Sequence, residues 1–410
     1  MAHIAVIGAG FVGLSTAWHL MREGHSVTVL DPAGAAGGAS FGNAGTFATY
    51  ACIPVNKPSV FRDIPHFLLD PRSPFRLRLG YLPQLAPWLA RFLWHSTSAR
   101  SVHTSQALAQ LLARAQAGYD DMLNRADLAQ YVRPRECLYL YSSTKAFAQS
   151  QAELDLRNSL GVAFDVLDRD AVQALEPQLS PLFERGVLFR GSWHLSDPGG
   201  FLKTLQVVLQ AQGLQVVQSA VTGLYPGPDN VVVAWGQETQ AFDQVALCAG
   251  AYSRPLAAQC GDAIPLDTER GYHLLYPGSS RLISRPVGWA ERGFYMTPME
   301  RGIRVAGSVE LAGLRSDKHP GLLQLLEHSS KRALSGLPAA TEPWLGFRPT
   351  LPDGLPVIGR SSASARVVYA FGHQHIGLTL GGVTGSLVAD VVAGREPALD
   401  LTAFAPTRFR

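Results

Sequence analysis

Apolar and polar positions near the start of the chain group into three short elements. The run Ile4 to Ile7, within His3-Ile4-Ala5-Val6-Ile7, predicts a buried strand. Gly8-Ala9-Gly10-Phe11-Val12-Gly13 then turns the chain into a helix with Leu14, Ala17, Trp18 and Met21 on one side, and Gly24 ends it. Ser26 to Leu30 predicts a second strand that closes on Asp31. The same order returns downstream. Arg366 to Phe371 reads as a strand, Gly372-His373-Gln374-His375-Ile376-Gly377 as a turn, and the next helix carries Leu380, Val383, Leu387 and Val391 on one side. Between these ends, Arg270 to Tyr276, Gly293 to Met296 and Ile303 to Val309 predict an antiparallel sheet. No apolar run reaches the roughly eighteen residues that a spanning helix needs, and the strand beside the initiator leaves no room for a leader peptide.

Length and composition narrow the class. A chain of 410 residues, 47% hydrophobic with 40 glycines and 27 prolines, predicts a turn-rich globule of two domains sharing a cleft. A net charge of +3, spread along the chain, argues against a polyanionic partner such as nucleic acid. Cys52, Cys137, Cys248 and Cys260 form no CxxC pair, so neither a zinc site nor a disulfide framework is expected, and a reducing compartment fits best.

The glycine turn carries the first chemistry. Gly8 permits the tight turn, Gly10 lets backbone amides approach a pyrophosphate, and Gly13 lets the helix pack closely on the strand. Asp31 can accept hydrogen bonds from a ribose. By itself this leaves FAD and NAD both open. The stretch Gly37-Gly38-Ala39-Ser40-Phe41-Gly42-Asn43-Ala44-Gly45-Thr46 is too rich in glycine and small residues for a typical helix and reads as backbone wrapped around a ligand. Near the other end, the dipole of the helix after Gly377 would stabilise negative charge on a reduced flavin. His373 and His375, spaced i and i+2 with no cysteine or carboxylate beside them, make a poor metal site, and no metal is expected. Arg348 precedes Pro349, which holds it in extended backbone. Its guanidinium can grip a substrate carboxylate through two hydrogen bonds or form a structural ion pair.

Taken together these segments resemble the FAD-dependent amino acid oxidoreductases of the D-amino acid oxidase superfamily, most closely the bacterial D-amino acid dehydrogenases. The resemblance spans nearly the whole chain. Its carriers are Gly8-x-Gly10-x-x-Gly13, Ser40-Phe41-Gly42-Asn43-Ala44-Gly45, Leu247-Cys248-Ala249-Gly250-Ala251-Tyr252-Ser253, Gly346-Phe347-Arg348-Pro349 with Asp353-Gly354-x-Pro356, and Gly372-His373-x-x-x-Gly377-Leu378-Thr379. The resemblance implies that Arg348 anchors the substrate carboxylate. It assigns Phe11, Val12, Ser40, Asn43, Ala44, Gly45, Thr46 and Gly346 to the cofactor, and places Gly372, Ile376, Gly377, Leu378 and Thr379 along the flavin pyrimidine. Val221 would hold the adenine through its backbone, and Gly250 would lie near the pyrophosphate. The chain departs from the family where Gly38-Ala39 replaces a polar or acidic pair. It departs again where the last turn offers His and Gln instead of the arginine of the glycine-oxidase branch, which weakens glycine as a substrate. No cysteine follows Cys260, so the FAD is expected to be noncovalent.

The expected fold is α/β and α+β. A discontinuous Rossmann-like FAD domain comprises residues 1–55, 145–257 and 341–410, and a substrate domain with a mainly antiparallel sheet comprises 56–144 and 258–340. Arg270, Tyr272, His273 and Tyr295 are expected to face substrate. Arg348, Tyr272, Tyr295, His373 and His375 form the expected catalytic group, with one of the histidines over the flavin edge. Hydride transfer from Cα to flavin N5 would convert a D-amino acid to an imino acid, with D-proline and 4-hydroxy-D-proline as candidates and a quinone or a protein as acceptor. An oxygen-using amine or glycine-type oxidase, a flavin-carrying subunit of an electron-transfer complex and an NAD-dependent dehydrogenase are the alternatives. Between Pro58 and Trp94, Phe61, Phe67, Phe75, Tyr81, Trp88, Phe92 and Trp94 mix with Arg62, Arg72, Arg76, Arg78 and Arg91. That mixture suits a peripheral membrane contact and equally suits helices packed on the substrate domain. The expected location is the cytoplasm, with the inner face of the membrane as the alternative site of attachment.

Overall fold

The computed structural model describes residues 1–61, 64, 70 and 73–410. Its first layer is a six-stranded sheet in the order Gln215–Val217, Ser26–Leu30, His3–Ile7, Gln244–Leu247, Val367–Phe371, Val357–Arg360. The first five strands run parallel and the last is antiparallel. The central strands are apolar along their length because both faces are covered, as parallel sheets require. On one face, helices Phe11–Arg22 and Gly377–Ala393 touch backbone to backbone: a Cβ at Gly385 would stand 2.6 Å from the carbonyl carbon of Ser15. A three-stranded antiparallel sheet, Val221–Pro226, Val231–Trp235 and Glu238–Phe242, brings Leu224, Val231, Val233 and Phe242 into a cluster with the central strands.

The second layer is a nine-stranded, mainly antiparallel sheet. Its path runs Thr341–Thr350, Asp267–Pro277, Gly302–Leu311, Phe294–Met299, Val287–Trp289, Cys137–Tyr141, Arg185–Phe189, Phe164–Asp168, and Phe75–Leu77 pairs off this path with Gly302–Leu311. Helix Pro320–Ala333 covers part of one face through Leu322, Leu326 and Ala333. The three strand segments expected near residues 270, 295 and 305 all lie in this sheet. So do Phe164–Asp168, Arg185–Phe189 and Thr341–Thr350, which fall in stretches expected for the nucleotide domain.

Within the aromatic and basic stretch, Arg62, Phe67 and Arg72 lie outside the described residues. Most of the remaining rings face inward. Trp88 is buried and donates its indole N–H to the Thr350 carbonyl at 3.3 Å, while Phe75, Tyr81 and Phe92 pack around Leu85, Trp88 and Leu311. Phe61 and Trp94 are exposed. Among the described residues no helix is long and apolar enough to cross a membrane.

Candidate active site

The glycine turn is shaped by contacts that a side chain would block. Gly8 has φ +110°, and a Cβ there would meet the Cys248 carbonyl oxygen at 2.5 Å. A Cβ on Gly10 would meet Ser40 Oγ at 2.8 Å, so the turn and the 37–46 loop form one wall. Ser40 Oγ also accepts the Phe11 amide at 3.1 Å. Gly10, at the N-cap of helix Phe11–Arg22, has no side chain to cap it, so the amides after Phe11 in its first turn are available to an anion. Asp31 accepts the amides of Ala9 and Ala33, both at 2.9 Å, which fixes the carboxylate at the cavity and leaves lone pairs for a ribose.

The 37–46 loop is held by its neighbours through its carbonyls. Asn43 donates to Ser40 O at 2.7 Å and accepts the Gly45 amide at 2.6 Å. Arg304 donates to Phe41 O and Asn43 O, Thr297 to Ala44 O, and His273 Nδ1 to Gly42 O. Trp344 stacks on His273 with ring centroids 4.8 Å apart, and it needs Gly42 and Gly346 bare: a Cβ would come within 2.4 Å and 1.9 Å of the indole. Sequence reasoning missed Trp344, and the two glycines were its signal. His273, expected to face substrate, is instead a neutral strut under the loop, lowered to about 3 by burial and by Arg304.

The substrate end is built on the second sheet. Arg348 lies directly opposite Glu269 across the strand pair. Its guanidinium passes over Gly271, where a Cβ would stand 2.3 Å from Nη2, and Nη1 donates to Ser308 O at 2.8 Å on the following strand. Ser308 adopts φ +62°, beside a register shift between Arg270 and Tyr272. Burial lowers the Arg348 pKa and Glu269 opposes that shift. Arg270 and Tyr272, also expected at the substrate, are committed elsewhere, because side chains alternate along a strand. Arg270 pairs with Glu310 at 3.3 Å, and Tyr272, although it borders the cavity, donates its hydroxyl to Glu310 and accepts the His319 amide. Tyr295 does line the cavity and shares a hydroxyl hydrogen bond with Tyr139, whose ring meets that of buried Tyr50 edge-on.

The histidine turn closes the same space. His373 is buried and shares a 3.0 Å hydrogen bond with the Thr384 hydroxyl, and burial lowers it to about 3. His375 is surrounded by protein yet exposes its ring to the cavity; burial, then Arg348, lowers it to about 4, so both histidines are neutral near pH 7. Gln374, at φ +49°, donates its backbone N–H to Pro349 O at 2.9 Å and so ties this turn to the Arg348 strand. Its buried side-chain Nε2 has no hydrogen-bond partner among the described residues. Ile376 and Thr379, expected along the flavin, stand behind the cavity wall: Ile376 packs in an apolar cluster and Thr379 accepts the Ala48 amide at 2.9 Å.

The glycine turn, the 37–46 loop, Arg348 and the histidine turn border one cavity of about 1650 Å³, larger than the roughly 300–1,000 Å³ of most ligand sites. Gly8, Gly10, Val221 and Gly250 lie in its wall, as do Gly346, Gly372, Gly377 and Leu378. A dinucleotide fits these features: a bare glycine cradle at one end and, at the other, the orphaned Gln374 amide beside the uncapped start of helix Gly377–Ala393. Among the described residues no cluster of His, Cys, Asp and Glu could hold a metal ion.

The family described as FAD dependent oxidoreductase (DAO) matches residues 3–391. A D-amino-acid oxidase of Bradyrhizobium diazoefficiens is 34% identical over 417 residues, covering 99% of each chain. A D-amino acid dehydrogenase of Granulibacter bethesdensis is 29% identical over 419 residues, again covering 99% of each. Among solved structures, glycine oxidase from Geobacillus kaustophilus superposes with TM-score 0.74 at 19% identity, over 100% of this chain and 99% of that one. L-proline dehydrogenase from P. horikoshii does so with TM-score 0.75 at 16% identity, over 100% and 97%.

Proposed function

Because the chain belongs to this family of FAD-dependent oxidoreductases, FAD is the cofactor of the cavity, and we propose that the protein oxidatively deaminates a D-amino acid. The observation that carries this reading is Arg348. One of its donors is fixed on Ser308 O, and the others make no hydrogen bond among the described residues, while the residue lines the cavity. A guanidinium so placed grips a carboxylate with two parallel bonds. When bound, FAD accepts the hydride that leaves the substrate Cα. The protein's work is orientation: Arg348 fixes the carboxylate, Tyr295 and Trp344 flank the bound molecule, and neutral His375 adds no second positive charge beside Arg348.

The D configuration follows the names of the relatives, and D-proline and 4-hydroxy-D-proline are the first substrates to test. The flavin is held noncovalently in this reading. Of the four cysteines only Cys248 lines the cavity, and burial pushes its thiol up to about 12, far from the thiolate needed to form a tether. Electrons pass to a quinone or a protein acceptor. A second reading, direct use of oxygen, is favoured by the oxidase name of the 34%-identical relative. Aerobic turnover that releases peroxide without an added acceptor selects that reading.

Anaerobic mixing of the holoenzyme with a panel of D- and L-amino acids tests the proposal. Bleaching of the flavin by at least one D-amino acid is the expected result. A flavin that no amino acid bleaches rejects amino acid oxidation, and bleaching by L-enantiomers alone rejects the D assignment.

A further inference from the structure

Among the described residues four carboxylates line the cavity: Asp31, Glu153, Glu269 and Glu291. Asp31 is engaged by the backbone at the nucleotide end. Glu153 is paired with Lys57, and Glu291 accepts both the amide and the hydroxyl of Ser142 at 2.8 Å. Glu269 differs from all three. It is 6% exposed, yet it makes no hydrogen bond or ion pair among the described residues. Its cross-strand neighbour Arg348 leans away over Gly271 toward Ser308, so the two side chains do not close into a pair. A buried carboxylate left without a partner is destabilising by several kcal/mol in proteins. Burial accordingly raises the Glu269 pKa, while Arg348 pulls it back toward the charged form.

We propose that Glu269 receives the α-ammonium of the substrate, so that one pair of adjacent strands grips the amino acid at both charged ends. The inference rests on the reading that Arg348 binds an amino acid carboxylate. The carboxylate and nitrogen of an α-amino acid sit on the same carbon, and side chains directly opposite on paired strands start roughly 4.5–5.5 Å apart at Cβ, so two such neighbours can contact both groups at once. An ammonium between them closes the pair that Arg348 and Glu269 leave open. It also sets specificity: a 2-hydroxy acid or a simple carboxylic acid of the same skeleton would leave Glu269 buried against Arg348's anionic ligand.

Binding to the holoenzyme, read from the perturbed flavin absorbance, tests this without turnover. The probes are an α,α-dialkyl amino acid, which has no Cα hydrogen to lose, and the same carboxylic acid without its amine. Wild type should bind the amino acid about tenfold or more tightly than the deaminated acid. Glu269→Gln should abolish that preference by weakening the first ligand and not the second, and Glu269→Asp should restore part of it. Equal affinity of the two probes for wild type overturns the proposal, even if neither variant folds. Loss of both ligands alike in Glu269→Gln, or loss of flavin with the preference intact, also overturns it. If wild type binds neither probe and no amino acid bleaches its flavin, the function proposed above has failed. Bleaching together with indifferent probes rejects the role of Glu269 alone.

Discussion

At the nucleotide end of the cavity the wall is backbone. Gly8, Gly10 and the 37–46 loop present amides and carbonyls, and the side chains Asn43, His273, Thr297 and Arg304 hold that loop in place. At the substrate end the wall is side chains. Arg348, Glu269, Tyr295 and His375 come from separate strands and a turn, and each borders the cavity. A backbone wall serves a ligand shared by a whole family and is encoded in contiguous glycines. A side-chain wall adjusts to the substrate and depends on which strands pair and in which register.

Four changes would break or sharpen this contrast. The largest effect should come from Gly8→Val. It places a β-branched residue at φ +110° and drives Cβ into the Cys248 carbonyl, so the purified protein should carry little or no flavin by visible absorbance. Retention of a full complement of flavin would mean that the turn does not shape the cradle. Next is Arg348→Ala, which should keep its flavin while kcat/KM for the best amino acid falls on the order of a hundredfold, as expected for removing one partner of a buried charge pair. Unchanged kinetics would remove the carboxylate anchor.

Gly271→Ala should fall between the two ends, sparing the flavin and displacing the guanidinium, whose Nη2 would lie 2.3 Å from the added Cβ. A KM rise of roughly tenfold with full flavin content is expected, by loss of one charge-assisted hydrogen bond; flavin loss instead would place the residue at the wrong end. The smallest effect concerns pH. His373 in the folded protein is held near 3 by burial, below the ordinary 6.5 of an unfolded histidine. The unfolded chain therefore binds a proton that the folded chain refuses. This contribution to stability is complete above about 6.5 and is lost as pH falls toward 3. The thermal midpoint should drop over that range, and His373→Asn should flatten the drop. A wild-type midpoint constant from pH 7 to 4 would contradict this account.

The parts of the site legible in the sequence were local ones. Gly8, Gly10, Gly13 and Asp31 lie within one βαβ unit, where chain order already fixes spatial order, and Ser40 to Gly45 announced itself by composition. Arg348 stood out through its proline and through family resemblance. Glu269 and Ser308 carried no comparable signal, because their meaning comes from strand pairing: Glu269 matters by lying opposite Arg348, and Ser308 by offering a carbonyl one strand further on. Gly271 was a weak signal, a bare position inside a strand that marks a close approach. Tyr272 was selected from the same strand as Glu269 but in the other phase of its alternation, a phase that only the packing of helix Pro320–Ala333 on one face reveals.

The sequence by itself determined a parallel nucleotide-binding layer, an antiparallel second sheet and the glycine turn between strand and helix, because these follow from periodicities and steric rules that act over a few residues. Tertiary structure decided the rest. It brought residues 269, 308, 348 and 375 around one cavity, turned Arg348 across Gly271, and left one carboxylate without a partner, since long-range register and the burial of charge exist only once the strands have paired.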